Sequence, residues 1–160
     1  MVEEVLIRLA ELADAKKIAT LSMRMAQETE NLKLDKGVVT EGVRAVLRDQ
    51  KKGFYLVAED KNRRIIVGQL AVVYEWSDWS NNQFWLMQGV YVDKDYRRKK
   101  IFSRLFHRLV EIAHKKGDVA GLRLFIEKNN ESAKKVYKSL GIKEATHEVG
   151  EMEFTSHQSN

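Results

Sequence analysis

Apolar positions along this chain change period several times, and each change marks an element. Residues 4–9 alternate well enough to predict a first strand. The spacing then turns helical over residues 13–28, where Ile18, Leu21 and Met25 recur at i, i+3 and i+7. Residues 31–36 form a polar break. A second helix follows, with Val39, Val43, Val46 and Leu47 on one face and Asp35 as its N-cap. Residues 54–58, 65–76 and 84–92 read as three strands, separated by polar turns at 60–63 and 77–82. Consecutive and closely connected, they predict an antiparallel meander. Ile101, Leu105, Leu109 and Ile112 lie on one stripe of a third helix. Phe102, Phe106, Val110 and Ala113 widen that stripe enough to pack on a sheet, and His114, Lys115, Lys116 and Gly117 end the helix. A fifth strand is predicted over 121–126. Asn130 then caps a helix that runs to Leu140 and stops at Gly141, and 142–154 closes the chain as a final extended segment. The order β-α-α-β-β-β-α-β-α-β describes an α/β protein of the α+β kind. Its mixed sheet has an antiparallel first half and a parallel crossover after Val92.

Composition narrows the chemistry. With 160 residues and no repeat or linker-like stretch, the chain reads as one domain over 1–160, large enough to bury a core. No apolar run approaches membrane-span length and no charged-then-apolar leader opens the chain, so a cytoplasmic location without a membrane partner is expected. The absence of Cys excludes disulfides, thiolate metal sites and a cysteine nucleophile. His107, His114, His147 and His157 lack metal-ligand spacing, so no metal is expected. A net charge of +5 suits an anionic cofactor or substrate. No aromatic-interleaved or groove-reading motif accompanies it, so nucleic acid is not expected as a partner.

That charge has a focus. Residues 90–110 run from a β-branched strand ending at Val92, through an acidic turn, into Arg97-Arg98-Lys99-Lys100 and then an amphipathic helix. A strand that feeds a basic turn into a helix N-terminus suits phosphate. Turn N–H groups are free there, the helix dipole is positive, and Arg and Lys add full charges. Taken in isolation the run would be a solvated turn; its place between a strand and a sheet-packing helix favours the phosphate site.

The element order, together with two motifs at fixed places in it, resembles the GNAT superfamily of acyl-CoA-dependent N-acetyltransferases over nearly the whole chain. The family's cofactor motif, Q/R-x-x-G-x-G/A after the fourth strand, is matched in position by Arg97-Arg98-Lys99-Lys100-Ile101-Phe102. Its second motif, N-x-x-A-x-x-x-Y-x-x-x-G-F, is matched by Asn130, Ala133, Tyr137, Gly141 and Ile142. The first motif keeps its Arg but has Lys100 and Phe102 where glycines stand in the family, and glycine there lets backbone approach a pyrophosphate. Three placements are open to the Lys100 side chain: crowding the phosphates, pointing outward, or adding a charge contact to them.

The resemblance implies direct transfer of an acetyl group from acetyl-CoA to a primary amine of a small molecule, polyamine or amino-acid-like. It also implies the residues involved. Val90, Tyr91 and Val92 would hold the pantetheine arm, with an N–H there polarising the thioester, and Gly89 offers a cheap bulge. Arg97, Arg98, Lys99, Lys100, Ile101, Phe102 and Ser103 would surround the pyrophosphate, with Asn130 on the arm's far side. Tyr137 would protonate the leaving thiolate, since a phenol near pKa 10 is protonated at neutral pH; core packing with a tip hydrogen bond is its structural alternative. Relatives often carry a glutamate base on the fourth strand, where this chain has Gln88. The acids considered in its place are Glu75, Asp78, Glu28 and Glu30, of which Glu75 through a water relay is the base expected here. Glu30, Asp78 and Gln88 are expected around the acceptor. Trp76, Trp79 and Trp85 are expected in core and hairpin packing, or as an aromatic wall for the acceptor. Two alternatives stand beside this reading: a non-catalytic acyl-CoA-binding or regulatory module, and a protein or peptide N-acetyltransferase. A short C-terminal segment that leaves a sheet edge open would favour a homodimer.

Overall fold

The computed structural model describes residues 4–155. Strand β1 (Val5–Leu9) leads through a short 3-10 turn into helix α1 (Ala15–Glu30), and α2 (Lys36–Arg48) follows. The meander is β2 (Gly53–Asp60), β3 (Ile65–Ser77) and β4 (Asn82–Val92). A second 3-10 turn, Lys94–Tyr96, precedes α3 (Ile101–Lys116), and the chain continues through β5 (Val119–Leu124) and α4 (Glu131–Ser139). The strands form one five-stranded sheet in the order β1-β2-β3-β4-β5. The first three pairings are antiparallel and β4–β5 is parallel, as the crossover through α3 requires.

Side-chain alternation gives the sheet two faces. Val57, Ile66 and Tyr91 point to one face and pack with Ile18, Leu21 and Val43 of α1 and α2. Leu56, Leu70, Val72, Trp85 and Met87 point to the other and pack with Ile101, Leu105 and Leu109 of α3. Trp85 is 1% exposed and meets Phe54 edge to face at 5.2 Å, anchoring the end of the sheet away from the candidate site. Gly68 of β3 decides how closely α3 begins against the sheet. A Cβ there would come within 3.1 Å of Ile101 Cγ2, the first residue of that helix.

Element boundaries differ from the sequence reading by up to two residues. α1 starts at Ala15 rather than 13, because a 3-10 turn with Asp14 closing onto the Glu11 N–H occupies its entry. β5 lies two residues earlier than expected, at Val119–Leu124. The final extended segment is a correction: no strand follows α4 among the described residues. Val149, Met152 and Phe154 are 65%, 79% and 90% exposed, so the segment lacks the buried face that would hold it to the sheet. No helix among the described residues is long and apolar enough to cross a membrane.

Candidate active site

Two backbone features open a cleft in the sheet. Gln69 of β3 faces Tyr91 of β4, whereas Ala71 faces Gln88, so β4 carries one extra residue between those rungs. Gly89 lies in this bulge at φ +56°, a conformation that disfavours a side chain. On its other edge β4 pairs with β5 only from Gln83 to Met87, where Met87 faces Leu124. Beyond that rung the strands part. The backbone of Gln88, Gly89 and Val90 passes with no β5 partner, and a cleft of about 530 Å³ fills the opening. Met25, Thr29 and Glu30 line it from α1, and Met87, Gln88, Gly89 and Val90 line it from β4. Leu124, Phe125, Ile126 and Glu127 form the β5 side, with Asn130, Ala133 and Tyr137 beyond them.

The basic turn lies where β4 hands over to α3. Lys100 is the N-cap of α3 at φ 58° and ψ 22°, and no side chain caps that end. The N–H groups of Ile101, Phe102 and Ser103 thus belong to a helix first turn without a protein cap, at the positive end of the helix dipole. Arg98 is also left-handed, at φ 61°. The side chains of Arg98, Lys99 and Lys100 are exposed, and Lys99 Nζ sits 5.0 Å from the Tyr96 ring centroid. Arg98, Lys99 and Lys100 with these N–H groups are the residues that could hold a polyanion.

Arg97 is engaged elsewhere. Its Nη2 donates to Glu28 Oε2 at 2.7 Å, its Nε donates to the Val92 carbonyl at 2.9 Å, and its guanidinium lies over the Tyr91 ring at 5.3 Å. The Tyr91 hydroxyl donates to the other Glu28 oxygen at 2.7 Å. Hydrogen bonds from Tyr91 and Arg97 hold the Glu28 carboxyl below its usual range, and burial together with Glu28 pushes the Tyr91 phenol up to about 12. Glu28 is therefore a paired carboxylate that ties the end of α1 to β4 and the basic turn.

Tyr137 and Asn130 face the cleft from α4 and its cap. Burial pushes the Tyr137 phenol above its usual pKa, so it is protonated throughout the neutral range. Its ring meets Phe102 edge to face, with centroids 5.6 Å apart. Asn130 Oδ1 accepts from the Ala133 N–H at 3.1 Å as the N-cap of α4, which leaves its amide NH₂ for the cleft. Gln88 and Glu30 line the cleft as well.

Glu75 and Asp78 do not, and the choice of Glu75 as base is corrected. Glu75 pairs with Phe84, five residues before Gly89, which puts it about 17 Å along the strand from the bulge. Its carboxylate is bound to Arg123, whose guanidinium stacks over Phe84. Asp78 lies beyond it in the exposed hairpin turn. Of the tryptophans only Trp85 is in the core; Trp76 and Trp79 are 61% and 97% exposed, and none of the three lines the cleft.

Sequence reasoning missed Thr29, Phe125, Ile126 and Glu127, and it assigned Met25 to helix packing alone. Met25 and Thr29 are i, i+4 neighbours, so a shared helix face was the available signal. Among the described residues no cluster of His, Asp and Glu could hold a metal ion; His157 lies outside them.

Four similarities bear on this site. The sequence model of the acetyltransferase (GNAT) family matches residues 12–142. The crystal structure of a possible acetyltransferase from Clostridium difficile 630 superposes with a TM-score of 0.86 at 41% identity, over 95% of this chain and 99% of that one. That of a predicted acetyltransferase with acetyl-CoA from Clostridium acetobutylicum shares the fold, with a TM-score of 0.75 at 17% identity over 92% and 96% of the two chains. The thialysine N-epsilon-acetyltransferase of Bos taurus is 31% identical over 85 residues, or 53% of this chain; the match spans about half of that relative, 49%.

Proposed function

Because the chain belongs to the GNAT family of acetyltransferases, we propose that it transfers the acetyl group of acetyl-CoA to a primary amine of a small, lysine-like or polyamine acceptor, within the cleft between β4 and β5. The observation that carries this reading is the parting of the two strands at the Gly89 bulge, next to an uncapped, basic helix N-terminus. The freed edge at Gln88–Val90 presents backbone to an extended arm and to a thioester carbonyl, where an N–H stabilises developing negative charge. The turn from Arg98 to Ser103 holds the diphosphate through backbone N–H groups and cationic side chains. The substrate acetyl-CoA supplies the acetyl group as an activated thioester.

The acceptor enters from the α1 side, where Glu30 and Gln88 line the cleft. Glu30 attracts an ammonium group and is placed to take its proton through solvent as the free amine forms. Tyr137, already protonated, gives its proton to the departing sulfur. The similarity to a thialysine acetyltransferase supports a lysine-like acceptor.

Free thiol released from acetyl-CoA in the presence of single amines tests the reading. Lysine analogues and diamines should accelerate release, with acetyl-CoA KM in the range of about 1 μM to 1 mM. Neutral amines should be poorer acceptors, and Glu30→Gln should raise the KM of cationic acceptors more than that of acetyl-CoA. Acetyl-CoA binding with no thiol release from any amine would instead support a non-catalytic acyl-CoA-binding module.

A further inference from the structure

Phe102 replaces a small residue of the cofactor motif, and its ring is turned away from the phosphate turn toward α4. There it stands edge to face with Tyr137 at 5.6 Å and 74°, and Phe106 braces it from within α3 at 6.2 Å. The Tyr137 hydroxyl makes no hydrogen bond to any described residue. Helix α4, on which it rides, buries none of its own residues. With no polar partner to aim the phenol, ring packing is what fixes it. We propose that Phe102 is a positioning residue that sets the Tyr137 phenol against the sulfur leaving from acetyl-CoA.

This inference rests on the reading of Tyr137 as the general acid. In the step concerned, the amine nitrogen bonds to the acetyl carbon and gives up its proton to solvent. The C–S bond breaks with its electron pair on sulfur, and sulfur takes the proton of Tyr137 Oη, which solvent replaces. Proton transfer needs the two heavy atoms within hydrogen-bond reach, and small misplacements are costly in rate. A residue with no ring at 102 would leave one side of Tyr137 open and the hydroxyl free to swing.

The test is a double-mutant cycle read in two ways, kcat by thiol release and acetyl-CoA Kd by calorimetry. Phe102→Ala should lower kcat about tenfold while leaving Kd within about twofold, the split expected of lost proton-transfer geometry. In a Tyr137→Phe background the same change should cause no further loss, and Phe102→Tyr should keep most of the wild-type rate. Should Phe102→Ala fail to fold, Phe102→Leu takes its place in the cycle with the same expected coupling. Equal losses of kcat in both backgrounds, or a wild-type kcat for Phe102→Ala beside an impaired Tyr137→Phe, would overturn the inference alone. A wild-type rate for Tyr137→Phe would overturn the acid reading and the inference with it.

Discussion

Lys100 occupies a glycine position of the motif and keeps glycine's backbone conformation, φ 58° and ψ 22°, at the start of α3. A left-handed non-glycine residue costs about 1–2 kcal/mol, while glycine loses about 0.4–1 kcal/mol more chain entropy on folding. The difference favours Lys100→Gly by about 0.5–1 kcal/mol, or about 1–4 °C in Tm at this chain length. Thermal unfolding followed by circular dichroism checks this; an unchanged or lower Tm would show that the lysine side chain contributes packing or charge that offsets the strain. The departure from glycine was legible in the sequence, whereas the retained conformation was not, because φ is set by the turn and not by residue type alone. Glu75 was misjudged for a different reason. The hairpin at 77–82 already implied that Glu75 faces the start of β4, so its distance from Gly89 was readable from register, although its pairing with Arg123 across the sheet was not. Arg97 shows the reverse: its motif position was clear, yet only the fold reveals that Glu28, 69 residues away, holds its guanidinium.

Among the elements, α4 is the one most dependent on its cap. It has nine residues, none of them buried, and isolated helices of that length are marginal in water. The Asn130 side chain closes its first turn by accepting from the Ala133 N–H. Asn130→Ala should therefore destabilise α4 by about 1 kcal/mol, seen as hydrogen exchange about fivefold faster at amides 134–139 with little change in the α3 amides. Equal protection in wild type and variant would mean that Leu140 and Ile142, which pack against the main core, hold the helix without its cap. The helices and the meander were legible because their apolar periods run long enough to choose a face. The last extended segment was not, because its alternation of Glu151, Met152, Glu153 and Phe154 has strand period but no surface to bury against. The bulge in β4 was signalled by Gly89, and its consequence, the parting from β5, depends on pairing that no local pattern specifies.

At the scale of the whole molecule, the two sheet faces carry separate packing clusters and the cleft joins them. α1 and β4 line it with Glu30 and Gln88, α4 with Tyr137, and Phe102 of α3 meets Tyr137 from beside the basic turn. The Glu28 network with Tyr91 and Arg97 ties the end of α1 to β4 and the basic turn. A net charge of +5, with the exposed side chains of Arg98, Lys99 and Lys100 at the α3 entry, favours anions there. In the proposed reaction acetyl-CoA spans the parted strands from the bulge to the helix N-terminus. Titrating acetyl-CoA into ¹⁵N-labelled protein and following the amide resonances tests this most directly. The largest shifts are expected at Gly89–Val92 and at Ile101–Ser103 together, with the far hairpin around Asp78 unmoved. Shifts confined to one of those two segments, or centred on the hairpin, would contradict it.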